Sequence, residues 1–160
     1  MSADYAGACT AIRSRFEQNW LTSGIFRTPI DYVNEPSPES KQDENGNSRQ
    51  WVFFEIIHNG STIIGSGTPG QQTIVYDGLI KGHVFVPVGS GVGDGLASAL
   101  SIGEIFRNRV FFDDVTPGCY VRSAYEKDGQ PRIDEGDANS DDGLWFAITA
   151  SIPFQFWWRG

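Results

Sequence analysis

Residues 73–95 read TIVYDGLIKGHVFVPVGSGVGDG, and LASALSIGEIFRNR follows over 96–109. The first sixteen residues of this stretch are rich in β-branched and aromatic side chains and predict a long strand over 73–88. Gly78 and Gly82 inside it suggest a bulge or bend. GSGVGDG (89–95) then breaks the strand. Asp94 is placed to cap a helix over about 95–109, with Leu96, Leu100, Phe106 and Val110 as its apolar face. Strand, glycine turn and amphipathic helix make a sheet with a helix folded onto it, and the rest of the chain extends that unit.

Toward the N-terminus, WVFFEIIH (51–58) suits a strand buried on most of both faces. STIIGSGTPG (61–70) reads as a turn or flexible excursion, and 30–34 as a short strand ended by Pro36. Residues 3–21 form an amphipathic helix: Tyr5, Cys9, Ile12, Phe16 and Trp20 recur every three or four residues, and Arg13, Arg15, Glu17 and Gln18 take the other face. Arg13 and Glu17 stand at i,i+4, and Gly24 is a plausible stop. Toward the C-terminus, Phe111, Phe112 and Val115 followed by 119–123 predict a hairpin turning at Thr116-Pro117-Gly118. LWFAITASIPFQFWW (144–158) is the last strand. Trp145, Ala147, Thr149 and Ser151 share one face, while Phe146, Ile148, Ala150 and Ile152 share the other. Pro153 marks an edge or a change of partner. The order α-β-β-β-α-β-β is that of an α+β sandwich, with two helices packed on one face of a mostly antiparallel sheet. Its length fits a single domain over 1–160.

Charge narrows the function. Twelve Lys and Arg against twenty Asp and Glu give a net charge of −8 and a pI near 4.6. That balance argues against nucleic-acid binding as the main task, which needs clustered basic residues. No stretch approaches the ~18 apolar residues of a membrane span, and no leader pattern opens the chain, so a soluble protein that does not act at a membrane is expected. Most of the excess negative charge lies in two segments rich in loop formers, at about 35–49 and 126–142. Both are expected to be long, mobile acidic loops, of the kind that meet partners.

Catalytic and metal motifs fail on spacing. GSGVGDG lacks the glycine positions of a dinucleotide fingerprint and no GK[ST] follows it. His58 and His83 are the two histidines. Although Asp77 and several serines are present, no GxSxG elbow presents a nucleophile. Asp113 and Asp114 are adjacent on an extended segment and point to opposite faces. DANSDDG fails the EF-hand spacing, and the two cysteines form no zinc pattern, Cys9 reading as core. The expectation is a non-enzyme with no cofactor and no metal.

The chain ends in aromatic residues. Phe154, Phe156, Trp157 and Trp158 must be buried, either in the subunit's own core or at a subunit interface.

AIRSRFEQNW (11–20), IDYVNEP (30–36), WVFFEII (51–57), GLIKGHVFVPVGSGVGDGLASALSIGEIF (78–106) and GLWFAITASIPFQFWW (143–158) together resemble the tail-terminator-like proteins of long-tailed bacteriophages. Hydrophobic-Phe-x-Pro followed by a glycine-rich turn into a helix, here VFVPVGSGVGDG, is the most telling piece. The two acidic loops are longer than that family's pattern. The resemblance implies an α+β subunit made in the host bacterial cytoplasm and built into the virion. Six copies form a ring on the head-proximal end of the tail tube, stop its polymerisation and meet the head-completion or stopper protein. It implies that genomic DNA passes the lumen without specific binding. Asp134, Glu135, Asp137, Asp141 and Asp142 are then candidates for an acidic channel lining that repels phosphate, and Phe154, Phe156, Trp157 and Trp158 for the subunit interface. A neck connector or stopper is the alternative within the same machine. A small acidic ligand-binding or hydrolytic domain is the alternative of another class.

Overall fold

A computed structural model of the protein describes residues 2–22, 28–37, 39–125, 129–136 and 143–159. Asp137, Asp141 and Asp142 lie outside the described residues. The elements run α1 (Tyr5–Thr22), β1 (Ile30–Tyr32), β2 (Trp51–Ile64), β3 (Thr73–Pro87), α2 (Gly93–Phe106), β4 (Arg109–Phe111), β5 (Tyr120–Ser123), β6 (Arg132–Glu135) and β7 (Trp145–Arg159). Among the described residues, one sheet has the order β1-β2-β3-β7-β5-β4, with β6 also paired to β7. Only β1–β2 is parallel. The fold is therefore α+β, with two helices on a mostly antiparallel sheet.

Helix α1 starts where Asp4 turns its carboxylate back onto the Gly7 amide, which donates to Oδ1 at 2.7 Å. That side chain satisfies one of the free N–H groups every helix start leaves. Its buried stripe is Ala8, Ile12, Phe16 and Trp20. Phe16 stacks on Phe54 of β2 with ring centroids 4.3 Å apart, so the stripe is seated directly on the sheet. On the outer face Arg13 donates to Glu17 at 3.0 Å and to Glu35 Oε2 at 2.9 Å, and the Tyr32 hydroxyl donates to Glu17 at 2.7 Å. The expected i,i+4 pair is thus part of a network that ties α1 to β1.

Helix α2 buries part of its expected face, Phe106 fully and Leu96 partly, and departs from the rest. The buried residues are Gly95, Ser98, Ala99, Ile102, Gly103 and Phe106, whereas Leu100 and Val110 are exposed. Small residues let the helix lie close on the sheet: a Cβ on Gly95 would stand 2.7 Å from Val86 Cγ1. The helix begins after Val92, which makes no side-chain cap, and Asp94 sits in the first turn. A carboxylate there favours the helix through its dipole rather than by capping.

β3 itself carries no bulge, although Gly78 pairs with His58 at the edge of one. The irregularity lies in β2, between His58 and Gly60. Gly82 faces α2 instead, where a Cβ would come within 2.8 Å of Ile102 Cδ1. Strand β2 also passes the bulge and continues to Ile64, through residues expected to form a turn. Pro153 does mark a change of partner. β7 pairs with β6 over Ser151–Ile148 and with β5 from Phe154 onward. The Pro153 carbonyl accepts from Ala124 N at 2.9 Å on that same side, so its missing N–H falls in the gap between partners and removes no bond to β3.

The described parts of the two acidic segments include regular structure. Residues 132–135 form β6, an edge strand that places only Ile133 against the core. Edge strands tolerate such charge because it discourages further pairing. In 35–49, Asp43 Oδ1 accepts from Asn45 and Asn47 N–H groups at 2.9 and 2.8 Å, and Gln42 bridges Ser48.

Three carboxylates are held below their ordinary pKa: Asp4 by the Gly7 amide, Asp43 by the Asn47 amide and Glu35 by Arg13. A depressed folded-state pKa contributes stability that is fully present above the unfolded value and is lost as pH falls through the folded one. Thermal stability is therefore expected to be level near neutrality and to decline below about pH 4. Asp4→Asn, which preserves a capping oxygen, should reduce that acid decline in a pH series of melting curves.

Candidate interaction surface

Register and burial together separate the two faces of the sheet. On β3 and β7 the even-numbered residues Ile80, Val84, Val86, Ile148, Ala150, Ile152, Phe154 and Phe156 are buried and belong to the cluster packed by the helices. The odd-numbered residues point to the opposite face, on which no described helix lies.

That face has an aromatic cluster at each end and a polar band between them. At one end Trp51 stacks on Phe85 at 4.2 Å and meets Trp145 edge-on at 6.0 Å. The Lys41 ammonium lies 3.8 Å from the Trp51 ring centroid and is held there by Asp31. Exposed Val88 and Leu144 rim this cluster, joined by a backbone hydrogen bond of 3.0 Å. At the other end Trp157 stacks on Tyr120 at 5.8 Å, with the Arg122 guanidinium 5.0 Å from the Trp157 ring centroid.

Between the clusters, His83 bridges three strands: Nδ1 lies 2.8 Å from Thr149 Oγ1 and Nε2 lies 2.8 Å from Glu55 Oε1. A second chain runs beside it, in which Arg122 Nε donates to Gln155 Oε1 and Gln155 Nε2 donates to Asp77, each at 2.8 Å. A cleft of about 260 Å³ adjoins this chain, lined by Asp77, Leu79, Arg122, Tyr125 and Pro153 among others.

Hydroxyl, imidazole and carboxylate in a row resemble a hydrolytic relay. However, His83 and Thr149 sit on strands paired on both sides, so their backbone amides are spent on the ladders. No pair of N–H groups is left there to hold an oxyanion, which is where much of acyl-transfer catalysis arises. The row ties β2, β3 and β7 together. Among the described residues, no three His, Cys, Asp or Glu side chains converge as a metal site, and no helix is long and apolar enough to cross a membrane. Cys9 is half-buried beside Tyr5, and burial pushes its thiol pKa up.

The structure divides the aromatic residues expected at a subunit contact. Phe154 and Phe156 point into the subunit's own core, at 3% and 0% exposure. This corrects their reading as interface candidates, and the reason is that β7 is central in the sheet, so the helices already cover that face. Trp158 packs partly against the same core. Trp157 alone of the four lies on the helix-free face. The sequence reading missed Trp51, Phe53, Phe85 and Trp145 as surface aromatics. Their signal is the period-two alternation: Val52 and Phe54 are buried while Trp51 and Phe53 are only half so. Of the acidic channel candidates, Asp134 accepts from Arg132 at 2.9 Å and Glu135 is exposed.

No protein-family model matches the chain, and no curated protein matches it. A solved protein structure matches 95% of this chain and 97% of its own, with a TM-score of 0.61 and 13% identity. At that identity the likeness is one of fold alone.

Proposed function

We propose that the protein is a structural virion subunit of a long-tailed phage. In this reading it assembles with itself into a ring, of six copies in the family it resembles, that closes the head-proximal end of the tail tube. Its partners are then further copies of itself, the tail tube protein and the head-completion protein, and DNA passes its lumen without specific binding. Asp134 and Glu135 would contribute to the acidic surface that DNA meets.

The observation that carries the reading is the helix-free face of the sheet. An antiparallel sheet can leave one face to water when that face is polar, yet here Trp51, Phe85, Trp145 and Trp157 occupy it. The indole N–H groups of Trp51 and Trp157 are buried without a hydrogen-bond partner, an arrangement that costs about 1–3 kcal/mol per group. A surface that trades monomer stability for aromatic area is suited to contact with other subunits. Added to polymerising tail tube protein of the same phage, the purified protein is expected to bind tube ends and halt elongation. Tubes that grow at an unchanged rate would contradict the proposal.

A further inference from the structure

Charge is unevenly placed along the helix layer. Near the C-terminal end of α2, Arg15 of α1 and Arg109 of β4 line a cleft of about 300 Å³ with Asn19, Ser101 and Glu104. Arg15 is half-buried, its Nε donating to the Ile105 carbonyl at 3.0 Å and its guanidinium lying 5.2 Å from the Phe111 ring centroid. Arg109 is exposed and, among the described residues, its side chain has neither a hydrogen bond nor an ion pair. Glu104 is already held by Arg107 at 2.8 Å. Asp114, which lines the adjoining cleft with Arg15, forms no ion pair among the described residues. Burial and the charge of Arg109 both lower the Arg15 pKa. Two like charges so placed, in a chain of net charge −8, favour an anion between them.

The opposite end of α2 is acidic. Asp94 is exposed in its first turn. Exposed Glu135 pairs across β6–β7 with Ile148, whose Cδ1 would stand 2.8 Å from a Cβ on Gly95. A helix of fourteen residues spans about 21 Å at 1.5 Å per residue, so the acidic end and the arginine pair stand apart within one subunit.

We infer that the Arg15–Arg109 cleft receives carboxylates from the acidic end of a second copy of this chain. The contact joins different surfaces on the two copies and leaves one of each unused, so it repeats from subunit to subunit and closes when the rotation allows. Guanidinium–carboxylate pairs supply both attraction and alignment. The inference rests on the self-assembly proposed above and names the contact that assembly uses.

Two neutralised variants test it by sedimentation. Arg109→Gln, alone and with Arg15→Gln, removes the basic end; because Arg109 is exposed and unpaired, its single replacement leaves the fold intact, as circular dichroism would verify. Asp94→Asn with Glu135→Gln removes the acidic end. Each variant alone is expected to associate at least about tenfold more weakly than wild type. An equimolar mixture retains one good interface and should stop at dimers. Association of both variants at wild-type strength would overturn the inference and leave the ring reading standing. A wild-type chain that stays monomeric at every concentration would overturn the ring reading and this contact with it.

Discussion

Phe156→Ala is expected to destabilise the isolated subunit by about 3–5 kcal/mol, the range for truncating a buried aromatic ring. Its ring is fully buried, 5.9 Å from Tyr76 and 6.1 Å from Phe112 by centroid. It sits between Tyr76 on β3 and Val121 on β5 in the sheet, so the cavity left behind has little freedom to collapse. A domain of this size has only about 5–15 kcal/mol in total, and the variant should be largely unfolded at moderate temperature. Trp157→Ala, on the helix-free face, should cost clearly less. Chemical denaturation midpoints measure both. Equal losses would mean that the two faces of β7 are not distinguished as the structure places them.

The second large effect concerns assembly rather than folding. Trp51→Ala with Trp145→Ala removes two rings of the cluster beside Phe85 and leaves the helix-packed core untouched. Aromatic anchors central to an interface cost about 2 kcal/mol or more each when truncated, though rings 6.0 Å apart are close enough to couple, so the losses need not add. The double variant should keep its far-UV circular dichroism while the concentration needed for self-association rises by at least about tenfold. Unchanged association would show that this cluster takes no part in contacts between subunits. The pair is a cleaner probe than Trp157 with Trp158, because Trp158 packs on the helix side against the core and its loss mixes folding with binding.

Local pattern made much of the fold legible. The spacing of Ile12, Phe16 and Trp20 identifies α1 and its buried stripe, since a helix that covers a sheet must repeat its apolar residues every three or four positions. The long strands β3 and β7 follow from their β-branched and aromatic content, and Pro153 announces the change of partner that the sheet shows. What was not legible depended on tertiary packing. Strand β6 has one apolar residue in four, Ile133, and depends on lying along β7 and against the core. Asn59 and Gly60 interrupt the pattern of β2, but a bulge absorbs the irregularity and the ladder with β3 resumes. The face of α2 was legible at Phe106 and Leu96 but not elsewhere, because four of its six buried residues are glycine, serine and alanine. These signal close approach to the sheet, whereas hydrophobic counting favours the larger Leu100, which is exposed.

The candidate surface was legible only in part. An aromatic C-terminus signals that rings must be covered, but which ring faces which side depends on whether β7 is central or at an edge. Once it is central, Phe154 and Phe156 belong to the core and Trp157 to the open face. The cluster of Trp51, Phe85 and Trp145 draws on three strands far apart in sequence, adjacent only through the register of the sheet. Arg15 and Arg109 likewise meet only because α1 and β4 come together at one end of α2.

The most direct measurement is electron microscopy of the purified protein, with and without the tail tube protein that the proposed function gives it as a partner. The account predicts closed rings of a single size that sit on tube ends. Single subunits at all concentrations, with bare tube ends in the mixture, would contradict it.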